Sequence, residues 1–169
     1  PYKGTRDYFP EDKALQNYIF NKWRKIAQSF GFQEYGSPLL EPLDLYREKS
    51  GTELASDQAY SFKDKGGREV SIRPEATPSV SRMVSMRRQE LPYPARLFSI
   101  ANYMRYERPQ KGREREFWQL NVDTFGAEGV SSDAETIMLA EKLLTGLGAT
   151  KNDFTILISN RKLLNDALK

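Results

Sequence analysis

Two segments of alternating character, ARLFSIANYMRYE (95–107) and EFWQLNVDTFG (116–126), flank a connection dominated by charge. Each is rich in aromatic and branched residues at a period of two, the pattern of a half-buried strand. Two such strands in succession form an antiparallel hairpin, and consecutive hairpins call for helices packed on the sheet. In the second strand Trp118, Leu120 and Val122 share one face, which suits a core. Phe117, Gln119, Asn121 and Asp123 share the other.

The rest of the chain extends this architecture. Pro10 to Phe30 reads as an amphipathic helix, because Leu15, Tyr18, Ile19, Trp23, Ile26, Ala27 and Phe30 recur at three- and four-residue spacing. Gly31 stands where a C-cap belongs. FQEYGSPLLEP (32–42) is a short strand broken by Pro38, and residues 59–62 and 69–72 flank KDKGG, a hairpin signal. A second helix runs from about Ala76 to Arg87, with Val80, Met83 and Val84 on one face. Ser132 and Glu135 have capping-box spacing and open a helix to about Leu147, ended by Gly148. Phe154 to Ser159 reads as a strand, and Arg161 to Lys169 as the start of a helix that suggests a piece of a longer protein. The expected fold class is α+β, an antiparallel sheet flanked by helices, with residues 1–169 forming one domain or one large piece of one. The regular alternation of a doubly wound sheet is missing.

The 169 residues contain no Cys and no His. That removes zinc fingers, thiol nucleophiles, imidazole bases and Ser-His-Asp triads. A metal would have to be a hard cation held by carboxylates and ligand phosphates. Net charge is only +3, so a nucleic-acid partner would be held by a local patch. The sequence shows no membrane span or signal peptide and agrees with a cytoplasmic location.

Charge concentrates in the hairpin connection, Glu107 to Glu116. A loop of roughly ten residues exceeds the usual two to five and is often functional. Arg105 falls on the face opposite Met104 and Tyr106, so one hairpin displays Arg105, Gln119 and Asp123 beside a flat platform, Phe117. This set suits a nucleotide and an amino acid. An Arg fork matches phosphate, Phe stacks on a purine, and Asp and Gln hold an ammonium or a polar ring. Arg108, Lys111, Arg113 and Arg115 can reach further phosphates, on a nucleotide or on RNA. The same pattern also fits an ordinary solvated hairpin.

RYERPQKGREREFWQLNVDTFG resembles motif 2 of the class II aminoacyl-tRNA synthetases, in the form found in the histidyl-tRNA synthetase family. KGTRDYFPED (3–12) resembles that family's N-terminal signature, FGFQEYGSPLLEP (30–42) its motif 1, IRPEATPSVSRM (72–83) its RPE-x-T segment, and ISNRKLL (158–164) the stretch before its inserted domain. The resemblance places motif 1 at about 30–42 and motif 2 at about 97–125. It implies activation of histidine by ATP with magnesium, transfer to the acceptor end of tRNA(His), and a homodimer formed through motif 1.

By position, the resemblance implies that Arg105 binds the ATP α-phosphate and the histidine carboxylate and stabilises charge during adenylate formation. Glu107 would approach ATP and its magnesium, Arg113 the distal phosphates, and Phe117 the adenine. Glu75, Thr77 and Gln119 would hold the α-amino end of histidine, with Asp123 on the imidazole. Arg108, Gln110, Lys111 and Arg115 would face the tRNA acceptor end. From the residues themselves, Glu75 and Thr77 also fit an ordinary first helical turn, Phe117 fits simple packing, and Asp123 a strand end.

The sequence departs from the family pattern at Asp123, where many bacterial members carry Glu, and at Ala76, where Gly is common. Motif 3, the insertion and the anticodon-binding domain are expected beyond Lys169, so the isolated chain is expected to be nearly inactive. Two non-catalytic relatives are alternatives: the regulatory subunit of ATP phosphoribosyltransferase and a tRNA-sensing synthetase-like domain. A synthetase for another amino acid is a further one.

Overall fold

The computed structural model describes residues 1–49 and 57–159. In chain order the elements are α1 (Pro10–Ser29), β1 (Gln33–Glu34), β2 (Leu40–Pro42), α2 (Leu43–Lys49), β3 (Tyr60–Lys63), β4 (Glu69–Ile72), α3 (Thr77–Met86), β5 (Ala95–Met104), β6 (Glu116–Phe125) and α4 (Val130–Gly146). The strands form two sheets, ordered β1-β5-β6 and β2-β4-β3. The α+β class therefore holds.

The long hairpin forms where alternation placed it. β5 and β6 pair antiparallel from Ala95↔Phe125 to Met104↔Glu116. On its apolar face Phe98 lies opposite Val122, and Ile100 opposite Leu120. These pack with Ala27 and Phe32 of the α1 region and Leu139 of α4. Phe98 is fully buried, and burying a side chain of that size stabilises by about 1.5–3 kcal/mol. Trp118 extends the same face to Phe20 of α1, with ring centroids 5.0 Å apart. α1 ends as its sequence dictates: Gly31 takes φ +79° and donates its N–H to Gln28.

Four expectations are corrected. The sheet is mixed, because β1 pairs parallel with β5, Gln33 against Leu97. The segment around Pro38 is two strands in different sheets, followed by the short helix α2. α4 begins at Val130 after Gly129 without a side-chain cap; Glu135 instead accepts from Arg96 Nε at 3.0 Å. Phe154 to Ser159 is not a strand: it has no ladder partner among the described residues, and Leu157 is 91% exposed. The helix expected over 161–169 lies outside the described residues.

The smaller sheet carries α2 and α3, and α2 packs on both β4 and α3. A buried polar knot holds α3 to β2. Glu41 Oε1 accepts from Ser79 Oγ at 3.0 Å and from Arg82 Nη2 at 2.8 Å, and both Glu41 and Ser79 are buried. A buried carboxylate needs such donors to offset its lost hydration. The two sheets meet at the residues that follow β4, which lead to the polar face of the hairpin.

Candidate functional site

Arg105 lies one residue past β5, where the ladder continues by its N–H to Arg115 O at 2.9 Å. Its Nε–H donates to Pro74 O at 2.9 Å. Its guanidinium carbon stands 5.3 Å from the Phe117 ring centre, a cation–π distance. Tyr103 packs beneath, its ring 6.0 Å from Phe117 and tilted by 32°. Phe117 is thus both packed and half-buried, a fixed platform beside a fixed guanidinium.

The charged connection is ordered at its tip. Gln110 and Arg113 exchange backbone bonds at 3.0 and 2.9 Å around Lys111 and Gly112, and Gly112 takes φ +77°. Arg113 donates Nε–H to the Glu107 carboxylate. That bond holds the Glu107 carboxyl below its ordinary value and raises Arg113. Arg105, Glu107, Arg113 and Phe117, with Gly112 and Glu114, line one cleft of about 250 Å³. Arg108, Gln110 and Lys111 are exposed on the rim.

Arg115 is placed differently from its three companions. It is 8% exposed, its guanidinium carbon lies 4.1 Å from the Tyr106 ring centre and 5.5 Å from that of Tyr2, and Nη1 donates to Tyr2 Oη at 2.9 Å. Nε donates to Glu107 O at 3.0 Å. These bonds hold the side chain against the N-terminal segment. Counting charges along the chain could not reveal this, because Tyr2 is 113 residues away.

Further along the polar face, side chains at every second position join in a row. Gln119 Nε2 donates to Asn121 Oδ1 at 3.3 Å, and Asn121 Nδ2 donates to the Asp123 carboxylate. Burial pushes Asp123 up to about 6, and the Asn121 bond opposes that rise. Burial likewise pushes the Tyr35 phenol up to about 12, with the charge of Asp123 adding to the rise. Tyr35 Oη and Ser99 Oγ are buried without a hydrogen-bond partner among the described residues. Glu75 follows Pro74 directly and is half-buried, and Thr77 is exposed at the first position of α3. Glu75 therefore directly follows the residue whose carbonyl oxygen holds Arg105.

Two polar residues behind this face drew no expected role from the sequence, although Arg73 opens the RPE-x-T match. Arg73 is 8% exposed and bonds Ser37 O, Asn102 O and Asn102 Oδ1 at 2.8, 2.8 and 3.0 Å. Asn102 Nδ2 donates to Glu116 Oε1 at 2.9 Å. Nothing in the local pattern distinguishes a buried Arg before a proline from an exposed one. Among the described residues no three metal-ligating side chains gather, and no helix is long and apolar enough to cross a membrane.

The family profile described as histidyl-tRNA synthetase matches residues 4–169. A histidine–tRNA ligase of Leptospira biflexa is 52% identical over 167 residues, covering 99% of this chain and 38% of its own length. The chain thus spans well under half the length of the curated relatives it matches. The apo histidyl-tRNA synthetase of S. aureus superposes with TM-score 0.73 at 31% identity, over 88% of this chain and 34% of that one. A Bacillus halodurans structure titled ATP phosphoribosyltransferase regulatory subunit/histidyl-tRNA synthetase superposes with TM-score 0.79 over 89% of this chain and 38% of that one. Its 24% identity carries the fold alone.

Proposed function

The chain belongs to the histidyl-tRNA synthetase family, with the class II synthetase fold, and we propose that the polar face of its β5–β6 hairpin activates histidine with ATP. The carrying observation is the convergence of Arg105, Glu107, Arg113 and Phe117 on one cleft. In this reading the histidine carboxylate attacks the α-phosphorus, and pyrophosphate leaves. Arg105 bridges carboxylate and α-phosphate and stabilises the charge that develops there, which is electrostatic and positional catalysis. No side-chain base is needed, in keeping with a chain that has no His.

Phe117 stacks on the adenine. Arg113 exchanges the Glu107 carboxylate for the distal phosphates, leaving Glu107 beside the magnesium that accompanies ATP. The magnesium would arrive with the nucleotide substrate; Glu107 would offer it one carboxylate, and phosphate oxygens would supply the other ligands. Glu75, Thr77 and Gln119 receive the α-amino group, and Asp123 the imidazole. Arg108, Gln110 and Lys111 on the exposed rim receive the acceptor end of tRNA(His) during transfer. Exposed Leu39 and Leu40, at 49% and 43%, support a homodimer through motif 1.

Calorimetric titration with magnesium–ATP, with and without histidine, tests the reading. The full-length protein binds both, and Arg105→Ala abolishes the dependence of each ligand on the other. Equal binding by the variant contradicts it.

A further inference from the structure

Arg105 is held by a main-chain atom, Pro74 O, so whatever fixes Pro74 fixes Arg105. Three features fix that segment. The Arg73 N–H donates to Leu39 O at 2.9 Å, and Arg73 O accepts from Met104 N–H at 3.2 Å. The Arg73 guanidinium bonds Ser37 O and both oxygens of Asn102. It also lies 5.2 Å from the ring centre of Tyr103, the ring that supports Phe117.

Asn102 carries the connection across the hairpin. Its amide can adopt one orientation here. Arg73 only donates, so Oδ1 must face it; the Glu116 carboxylate only accepts, so Nδ2 must face that. Glu116 directly precedes Phe117 and opposes Met104 in the ladder. The series Arg73–Asn102–Glu116 therefore ties the residue before Pro74 to the residue before Phe117, the two neighbours of the Arg105 guanidinium.

We infer that Arg73, Asn102 and Glu116 form a positioning relay that sets the Arg105 guanidinium between Pro74 O and the Phe117 ring. None of the three is assigned a substrate contact. The inference rests on the adenylate-forming reading above. Its chemical content is directional: the central residue accepts from one side and donates to the other, and each bond has an ionised partner, the stronger kind of hydrogen bond.

The direction of one bond can be reversed without changing total charge. Asn102→Asp still accepts from Arg73 but sets two carboxylates against each other at Glu116. Adding Glu116→Gln restores a donor, now running toward position 102. The measurement is histidine-dependent exchange of pyrophosphate into ATP by the full-length protein, with kcat and both KM values resolved. Asn102→Ala lowers kcat about 10- to 100-fold while KM for histidine and ATP stays within about threefold, the pattern of a misplaced catalytic group. Asn102→Asp is impaired to a similar degree, and Asn102→Asp with Glu116→Gln returns to within about threefold of wild type.

A kcat for Asn102→Ala close to wild type overturns the relay. So does a double variant as slow as Asn102→Asp, even if Asn102→Ala is too unstable to assay. Wild-type exchange combined with either result overturns the relay alone. Absence of histidine-dependent exchange in wild type overturns the adenylate reading, and the relay with it.

Discussion

Arg105 donates its Nε–H to the carbonyl oxygen of Pro74 across 2.9 Å. That bond joins the end of β5 to the segment entering α3. A planar guanidinium has several donors in a fixed fork, so anchoring one N–H orients the others. The proposed phosphate side, on the hairpin, and the proposed α-amino side, at Glu75, thereby share a single reference point.

Asp123 makes stability depend on pH. Burial raises its folded value to about 6, whereas an unfolded Asp titrates at about 3.9. Between these values the folded chain holds more protons than the unfolded one. Stability is therefore highest, from this group, below the unfolded value and falls as pH rises through the folded value. Asp123→Asn removes this component. Urea midpoints of wild type minus variant should decline from pH 4 to pH 6 and level off above. A flat difference contradicts the assignment.

Arg113 pairs with Glu107, and its side chain is 56% exposed. The Glu107 side of the pair is only 12% exposed, so Arg113→Ala, which takes away that carboxylate's partner, should lower the thermal midpoint modestly. Its proposed partner is the distal phosphate group, and losing a charge-assisted bond there should raise KM for ATP about tenfold. Steady-state exchange at varied ATP checks this, and an unchanged KM contradicts it.

Gly4 takes φ +83°, and a Cβ there would lie 2.7 Å from Arg115 Cγ. Its carbonyl accepts from the N–H groups of both Arg115 and Glu116, at 2.7 and 3.1 Å. Gly4→Ala should destabilise the fold by about 1–3 kcal/mol, the cost of a left-handed non-Gly residue. Amide exchange at Arg115 and Glu116 should accelerate with it. Unchanged protection at both amides contradicts the clamp.

Histidine selectivity should depend on Asp123 before any other residue of the row. Asp123→Ala removes the carboxylate proposed to accept from the imidazole, and sites built on hydrogen bonds discriminate strongly. Histidine binding by calorimetry should weaken more than ATP binding. Equal histidine affinity in the variant contradicts the role.

The hairpin was legible because ten-residue strands with aromatic and branched residues leave little choice of period, and its two faces divide as alternation predicts. Alternation carries no strand direction, so the parallel pairing of Gln33 with Leu97 was not legible. α2 was missed although Leu43 and Tyr46, both buried, stand three apart after Pro42. The Ser132–Glu135 spacing matched a cap, but Glu135 has a stronger partner in Arg96. Arg115 looked like Arg108 because a sequence shows charge and not burial. Its aromatic cage comes from Tyr2 and Tyr106, and only the fold brings Tyr2 near. Asn102, and Arg73 beyond its place in the RPE-x-T match, drew no role for the same reason: both lie behind the site and bond through backbone oxygens and an amide.

Histidine-dependent pyrophosphate exchange, compared between wild type and Arg105→Ala, reads out whether this polar hairpin face activates histidine. The full-length wild type should exchange with histidine, and the variant should be slower by about 10²–10³-fold, the loss typical of a preorganised charge-stabilising donor. Wild-type exchange that survives Arg105→Ala unchanged, or no exchange by wild type, would contradict it.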